Sequence, residues 1–212
     1  MAAFVAILLP LSLVALAGNI VFRVPDLMAF EISRSSVLAE LGLDIRPDAV
    51  ADEIADFINH NKEELTLTTR IARNEAPVFS FMDEVNLGRI RVLLDRSLYP
   101  AIGAMALSIA LFAFVRAMGR RRYLRYAMRA SAVFYICAIG ATLTLALYQP
   151  LREAVFAWQP GLEFIDGDIL PQLLGGLYPI ISAGAVCLIS FIIYITLYSV
   201  SRRFTAEKER MF

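Results

Sequence analysis

The sequence predicts an all-α membrane protein, a four-transmembrane-helix bundle with a small extracytoplasmic α(+β) cap domain. Composition gives the first indication: 58% of the 212 residues are hydrophobic and 19% are charged, whereas soluble domains average about 45–50% and about 25%. Mean hydropathy is +0.63. These values exclude a disordered chain, a basic nucleic-acid-binding domain and a disulfide-stapled secreted module, and they argue against an ordinary soluble enzyme.

Four apolar runs give the second indication, because each is long enough to cross a membrane. A hydrocarbon core of about 30 Å needs about 20 helical residues. The predicted transmembrane helices are 1–22, 98–118, 130–149 and 177–200. They contain no Asp, Glu, Lys, Arg or His except Arg116, near the end of the second run. Pumps and secondary transporters place ionisable groups at mid-membrane, so this absence argues against those functions.

The first run also admits a second interpretation, a cleaved signal peptide. Ala15-Leu16-Ala17 resembles a small-x-small cleavage site. No Lys or Arg precedes the run, however, and it is longer than the usual apolar region of about 7–15 residues. We therefore expect a retained helix, which gives an even number of spans with both termini on one side.

Charge distribution, the third indication, predicts the orientation. The loop 119–129, Arg116 and the tail 201–212 together hold 10 basic and 2 acidic residues, whereas 23–97 and 150–176 together hold 10 basic and 18 acidic ones. Short arginine-rich loops stay in the cytoplasm. The sequence thus predicts a multi-pass protein of the bacterial plasma membrane with both termini cytoplasmic. Part of the arginine cluster is expected to contact anionic headgroups of the inner leaflet.

The first extracytoplasmic segment, 23–97, is predicted to form the small cap. Apolar residues gather on one face of Asp48–Asn59, which predicts a helix, and the alternation along Leu65–Ile71 predicts a short strand. Ser80 is suited to N-cap a helix because Asp83 follows three residues later. This helix is expected to continue into the second span.

The second extracytoplasmic segment, 150–176, is aromatic, amphipathic and interrupted by prolines. Trp158 and Tyr178 fit the aromatic belt at a membrane surface. Two interpretations remain open for this segment. It is either a linker lying on headgroups or a half-inserted element that lines a site.

Motifs for cofactor or metal chemistry are missing from the sequence. It contains no CxxC, no HExxH and no glycine-rich phosphate loop, so neither a cofactor nor a metal is expected. Cys137 and Cys187 lie within apolar runs and are interpreted as small apolar fillers rather than a redox pair. His60, the only histidine, is interpreted as a solvated residue at a helix C-terminus rather than a catalytic base.

Three stretches stand out: Phe-Met-Asp-Glu-Val at 81–85, Leu-Arg-Glu-Ala-Val-Phe at 151–156 and Asp-Ile-Leu-Pro at 168–171. They resemble motifs of the lipoprotein intramolecular transacylases (Lit type), a family of small four-span bacterial membrane proteins. Residues 81–85, Phe-Met-Asp-Glu-Val, resemble the family's His-Met-x-Asp-Val stretch at the foot of the second span. Residues 151–156 are similar to its Phe-His-x-x-Phe-Phe stretch, and residues 168–171 to its Asp-x-Leu-Ile-x-x-x-Pro region. The order of one span, a cap and three further spans is also similar, so the resemblance covers most of the chain.

The resemblance implies acyl transfer within a diacylglyceryl lipoprotein, from the glyceryl ester to the α-amine of the N-terminal cysteine. This reaction needs a base for the amine and donors for the developing oxyanion. The family's two histidines correspond here to Phe81 and Arg152. Phenylalanine exchanges no proton, and arginine donates hydrogen bonds but does not act as a base. The resemblance therefore implies a chain that has diverged at its catalytic pair.

Neighbouring residues are candidates for the missing roles. Asp83, Glu84 and Glu153 lie beside the two positions, and apolar surroundings can raise a carboxyl pKa towards neutrality. Glu84 or Glu153 is the expected base, and Arg152 is a candidate donor to an ester or phosphate oxygen. The candidate substrate-binding residues are Phe81, Met82 and Trp158. The alternative is structural: Arg152 and Glu153 form a solvated ion pair, while Asp83 and Glu84 sit in a first helical turn that favours acids.

Two functions from different classes remain open on the sequence alone. The first is an enzyme of the lipoprotein transacylase type, diverged at its catalytic residues. The second is a non-enzymatic membrane protein that binds a lipoprotein, a lipid or a partner subunit through its cap. The expected partners are membrane lipids and a diacylated lipoprotein. Nucleic acid is not expected as a partner, and the sequence does not define the oligomeric state.

Overall fold

The structure, a computed structural model, describes residues 2–35, 37–71, 74–119, 121–157 and 168–206. Its helices are α1 (Ala2–Arg23), α2 (Pro25–Arg34), α3 (Val37–Glu40), α4 (Pro47–Ile58), α5 (Phe81–Ala117), α6 (Arg121–Leu147), α7 (Gln149–Ala157), α8 (Ile169–Gly175) and α9 (Tyr178–Ala206). The strands are β1 (Thr68–Ile71) and β2 (Asn74–Pro77).

Four of these helices, α1, α5, α6 and α9, are long and apolar enough to cross a membrane. Their most apolar windows have mean hydropathies between 1.9 and 2.4. Helix α5 has 37 residues and is about 55 Å long, so it extends well beyond a hydrocarbon core of about 30 Å. Four spanning helices and one small hairpin confirm the predicted fold class.

Tertiary contacts divide the chain into two compact units. The bundle unit comprises Met1–Asn19, Arg96–Thr144 and Gly184–Phe212, and the connector unit comprises Ile20–Asp95 and Leu145–Ala183. Each spanning helix therefore contributes residues to both units. The connector unit holds every described candidate site residue.

The bundle unit is held together by aliphatic packing and by tyrosine–serine pairs between helices. Its core includes Leu9 of α1 together with Tyr135 and Tyr194, whose rings stack with centroids 4.5 Å apart. The Tyr194 hydroxyl lies 2.9 Å from Ser131 Oγ, and the Tyr135 hydroxyl lies 2.9 Å from Ser190 Oγ. In an apolar surrounding such pairs satisfy hydroxyls that lipid cannot solvate.

The connector unit has a hydrophobic core built around α4 and α2. Helix α4 begins at Pro47, a first-turn position where the missing N–H of proline costs nothing. The helix predicted over Asp48–Asn59 is thus confirmed, and its apolar face is buried in a core that also contains Met28 of α2 and Leu173 of α8. The hairpin pairs β1 with β2 in antiparallel register, Thr68 opposite Pro77, and so confirms a strand within Leu65–Ile71.

Glu53 is a buried carboxylate on the inner face of α4. It accepts hydrogen bonds from Lys62 Nζ and from the Thr66 N–H, the latter 2.7 Å away. Burial alone would raise the pKa of the Glu53 carboxyl, but the hydrogen bonds from Lys62 and Thr66 outweigh burial and hold the pKa below its usual value. These hydrogen bonds connect residues 62–66, which precede β1, to α4.

Replacing Lys62 with methionine is expected to destabilise the protein above about pH 4.5, and the penalty should shrink progressively as the pH falls below that value. The lowered pKa of Glu53 contributes stability above the unfolded value of 4.5, and that contribution is lost as the pH falls through the folded pKa. We expect a loss of about 1 kcal/mol, because the Lys62 side chain is 39% exposed and solvent screens the pair. Thermal unfolding in detergent, followed by circular dichroism from pH 3 to 8, measures this effect.

The matched control is Glu63→Gln, which removes a charge from an exposed neighbouring residue. This variant should unfold like the wild type at each pH. A Lys62→Met penalty of equal size at pH 3 and pH 7 would contradict the role assigned to Glu53.

Candidate functional site

Helix α5 begins in a reciprocal hydrogen-bonded cap. The Asp83 N–H donates to Ser80 Oγ (3.0 Å), and the Ser80 N–H donates to Asp83 Oδ2 (3.2 Å). This arrangement satisfies two backbone donors that the first helical turn leaves without partners. It confirms Ser80 as the N-cap and fixes the helix start at Phe81.

Asp83 also holds the start of a second helix. It is only 1% exposed, and its carboxylate accepts the N–H groups of Leu170 (3.1 Å) and Ile169 (3.4 Å) at the beginning of α8. The residue that precedes α8, Asp168, makes no capping hydrogen bond with its side chain. Asp83 therefore caps α8 although it belongs to α5. This role goes beyond the general preference for an acidic residue in the first turn of its own helix.

Glu31 holds the other end of α8. This carboxylate of α2 is 4% exposed, and its Oε1 accepts the Leu177 N–H at 2.8 Å. Gly176 makes the contact possible, since a Cβ at that position would lie 2.8 Å from Glu31 Oε1. Two buried carboxylates thus fix α8 at its two ends.

Helix α8 is integrated into the core of the connector unit. Ile169, Leu170 and Leu173 are buried there together with residues of α2 and α4. The described part of 150–176 therefore includes a helix packed within the connector unit, and half-insertion of this segment into the membrane stays a prediction. Residues 158–167 lie outside the described residues.

Three of the predicted site residues share the first turn of α5. Phe81 is 79% exposed, and Met82 and Glu84 are half-buried. Phe81 and Glu84 are three residues apart, so they lie on the same face of the helix. Within the described part of the chain, no hydrogen bond or ion pair engages the Glu84 carboxylate. The site thus combines an available carboxylate with an exposed aromatic ring.

Arg152 and Glu153 lie on α7 and bind different partners. Arg152 is half-buried, and its Nη1 donates to the Ala146 carbonyl (2.9 Å) at the end of α6. Glu153 is exposed and accepts a hydrogen bond from Gln149 Nε2 at 2.7 Å. The alternative of an Arg152–Glu153 ion pair is wrong, as expected for adjacent helical residues, which point in different directions.

The structure places the predicted site residues in two groups of the connector unit. Among the described residues, no hydrogen bond or ion pair joins Glu84 to Arg152 or Glu153. Trp158 lies outside the described residues, so its predicted role stays a prediction. Glu31 was not predicted from the sequence, where the only signal for it is Gly176, the glycine that its carboxylate approaches.

His60 belongs to a structural ion-pair network rather than to this site. It follows the C-cap of α4 with a left-handed backbone, φ +62°, and its Nε2 lies 2.8 Å from Asp95 Oδ2. Asp95 also accepts a hydrogen bond from Arg23 Nη2 at 2.5 Å. The network links the ends of α1 and α4 to α5.

Comparison with known proteins finds the fold but no sequence relative. No family model and no curated protein matches the chain. Three solved structures of the membrane integral lipoprotein intramolecular transacylase Lit from Bacillus cereus do match it. The chain has the Lit fold.

The likeness to Lit extends over nearly the full length of both chains. A histidine-to-arginine variant superimposes with a TM-score of 0.73, 14% identity and coverage of 98% of this chain and 92% of that chain. A histidine-to-alanine variant has a TM-score of 0.72 and 16% identity, and the match covers 100% of this chain and 94% of that chain. A further Lit structure has a TM-score of 0.68 and 15% identity, with coverage of 100% of this chain and 96% of that chain. The resemblance expected from three short motifs is confirmed as a fold, and the protein is a multi-pass membrane protein.

Proposed function

We propose that this protein is an intramolecular acyltransferase of the Lit type. It would move an acyl chain from the glyceryl ester of a diacylated lipoprotein to the α-amine of the lipoprotein's N-terminal cysteine. The observation that carries the proposal is the near-complete superposition on Lit, with TM-scores from 0.68 to 0.73. The connector unit supports it by presenting a carboxylate beside an exposed aromatic ring.

The proposal places the protein in the bacterial plasma membrane with both termini in the cytoplasm. The loop 119–129 and the tail 201–212 would then face the cytoplasm, and 23–97 and 150–176 would face outward. The excess of arginine on the first side supports this orientation. It brings the connector unit to the outer face, where lipoprotein N-termini lie.

Glu84 is proposed as the general base. Its carboxylate would take a proton from the cysteine α-amine, whose nitrogen then forms a bond to the ester carbonyl carbon. When the tetrahedral intermediate collapses, the bond from carbon to the glyceryl oxygen breaks, and that oxygen recovers the proton from Glu84. The products are an N-acyl amide and a free glyceryl hydroxyl, with Glu84 returned to its starting state.

Glu84 is better placed for this role than Glu153. Glu153 is exposed and already accepts a hydrogen bond from Gln149, whereas the Glu84 carboxylate is half-buried at the start of α5. Phe81 on the same face offers an apolar surface for the acyl chain.

Arg152 is proposed as the donor that stabilises the oxyanion. A guanidinium carries five N–H donors, and the Ala146 carbonyl fixes the orientation of the group through Nη1. Charge-assisted hydrogen bonds to an oxyanion are about twice as strong as neutral ones. This role requires no proton transfer, which arginine does not perform.

The proposal is tested by expressing the chain in a bacterial host that lacks its own amine-acylating enzymes. Mass spectrometry of lipoprotein N-termini is expected to find an N-acylated lyso form that disappears with Arg152→Ala. Cells carrying an empty vector provide the control. Diacylglyceryl lipoproteins that stay unchanged despite membrane expression of the protein would overturn the proposal.

A further inference from the structure

The bundle unit contains an apolar cavity of about 640 Å³ between α1, α5, α6 and α9. Its apolar lining includes Val5, Leu9, Ile109, Phe112, Leu197 and Val200. The volume falls within the range of about 300–1,000 Å³ that is usual for small-molecule sites. We call this space the bundle cavity. It is lined by the bundle unit alone and takes no part in the proposed acyl transfer.

A smaller space of about 200 Å³ adjoins the bundle cavity, and most of the charged residues around the two spaces line the smaller one. The two share Phe112, Met128 and Ser201 in their walls. Arg125, Arg129 and Arg202 line the smaller space, and Arg116 lines the bundle cavity. These four arginines, which we call the arginine mouth, lie near the ends of α5, α6 and α9.

The charged residues in the described lining of the two spaces are all arginines. Neither space has Asp or Glu among its described lining residues. An apolar volume that opens onto guanidinium groups matches an amphiphile with an anionic head. Guanidinium groups bind phosphate oxygens in pairs of hydrogen bonds, and basic pockets between spanning helices bind anionic lipid headgroups.

We infer that the bundle cavity and the arginine mouth together form a binding site for one anionic phospholipid. An acyl chain occupies the bundle cavity, and the phosphate lies at the arginine mouth. This site differs from the general attraction of an arginine-rich loop for the inner leaflet, because it predicts a fixed stoichiometry and a dependence on cavity volume. Its occupant is a single lipid molecule.

Native mass spectrometry of the full-length protein in detergent tests the inference. Titration with dioleoylphosphatidylglycerol is expected to give a one-lipid adduct, at least about tenfold tighter than with dioleoylphosphatidylcholine, which has the same chains. The double variant Arg125→Gln, Arg129→Gln should lose that preference. The control Arg96→Gln, Arg122→Gln removes the same charge from exposed residues that line neither space, and it should retain the preference.

A third variant separates cavity filling from charge. Ala113 lines the bundle cavity, so Ala113→Phe should weaken phosphatidylglycerol binding with every arginine in place, and it keeps the test informative if the double variant does not fold. Equal binding of both lipids, equal losses in the two arginine pairs, or a lipid-free dimer of the chain would each overturn the inference.

Discussion

Glu84→Gln is expected to reduce N-acylation of a diacylated lipopeptide by about 100-fold or more, whereas Glu153→Gln should leave the rate nearly unchanged. Glutamine keeps the shape of glutamate but accepts no proton at neutral pH, and general-base catalysis typically contributes about 10²–10⁴-fold. Glu84 is half-buried at the start of α5, while Glu153 is exposed and bonded to Gln149. Initial rates from purified protein in lipid vesicles, read by mass spectrometry, measure the difference.

The Glu84→Gln variant should unfold at the wild-type temperature. Among the described residues no hydrogen bond or ion pair engages the Glu84 carboxylate, and glutamine keeps the volume of the half-buried side chain. Lost activity together with an unchanged melting temperature would therefore separate a catalytic role from a structural one. If Glu153→Gln abolished the reaction and Glu84→Gln did not, the proposal that Glu84 is the general base would be wrong.

The parts of the fold that were predictable from sequence are those with local signals. The spanning helices were predictable from uninterrupted apolar runs, and α4 was predictable from the periodic spacing of apolar residues along Asp48–Asn59. The start of α5 follows from Ser80 and Asp83, because the two residues of a cap are only three positions apart. In each case the interacting groups lie within one helical turn or one run.

The contacts that shape the candidate site were not predictable, because they join distant parts of the chain. Leu170 lies 87 residues beyond Asp83, and Leu177 lies 146 residues beyond Glu31. A single acidic residue gives no local indication that it will be buried against a backbone N–H so far away. Arg152 illustrates a different limit, since its partner is close in the sequence but is a backbone carbonyl, that of Ala146, which no side-chain pattern reports.

Asp83→Ala is expected to destabilise the connector unit by about 3–5 kcal/mol, the largest loss from a single substitution near the site. The carboxylate accepts the N–H groups of Ser80, Ile169 and Leu170, and a buried donor left without a partner costs about 1–3 kcal/mol. Alanine replaces none of these bonds. Thermal unfolding in detergent measures the total loss, and faster deuterium exchange within 168–176 would locate it at α8.

Asp83→Asn provides the matched comparison because it keeps the volume and one accepting oxygen. Leu170 donates to Oδ1, and Ser80 and Ile169 donate to Oδ2. If the amide NH₂ of asparagine replaces either oxygen, it faces an N–H donor and cannot accept its hydrogen bond. The stability of Asp83→Asn should therefore fall between those of the wild type and Asp83→Ala. Glu84→Ala, one residue away, should leave both the melting temperature and exchange at α8 unchanged. Equal melting of Asp83→Ala and Glu84→Ala would contradict the assignment of Asp83 as the cap of α8, since only one of these neighbours contacts that helix.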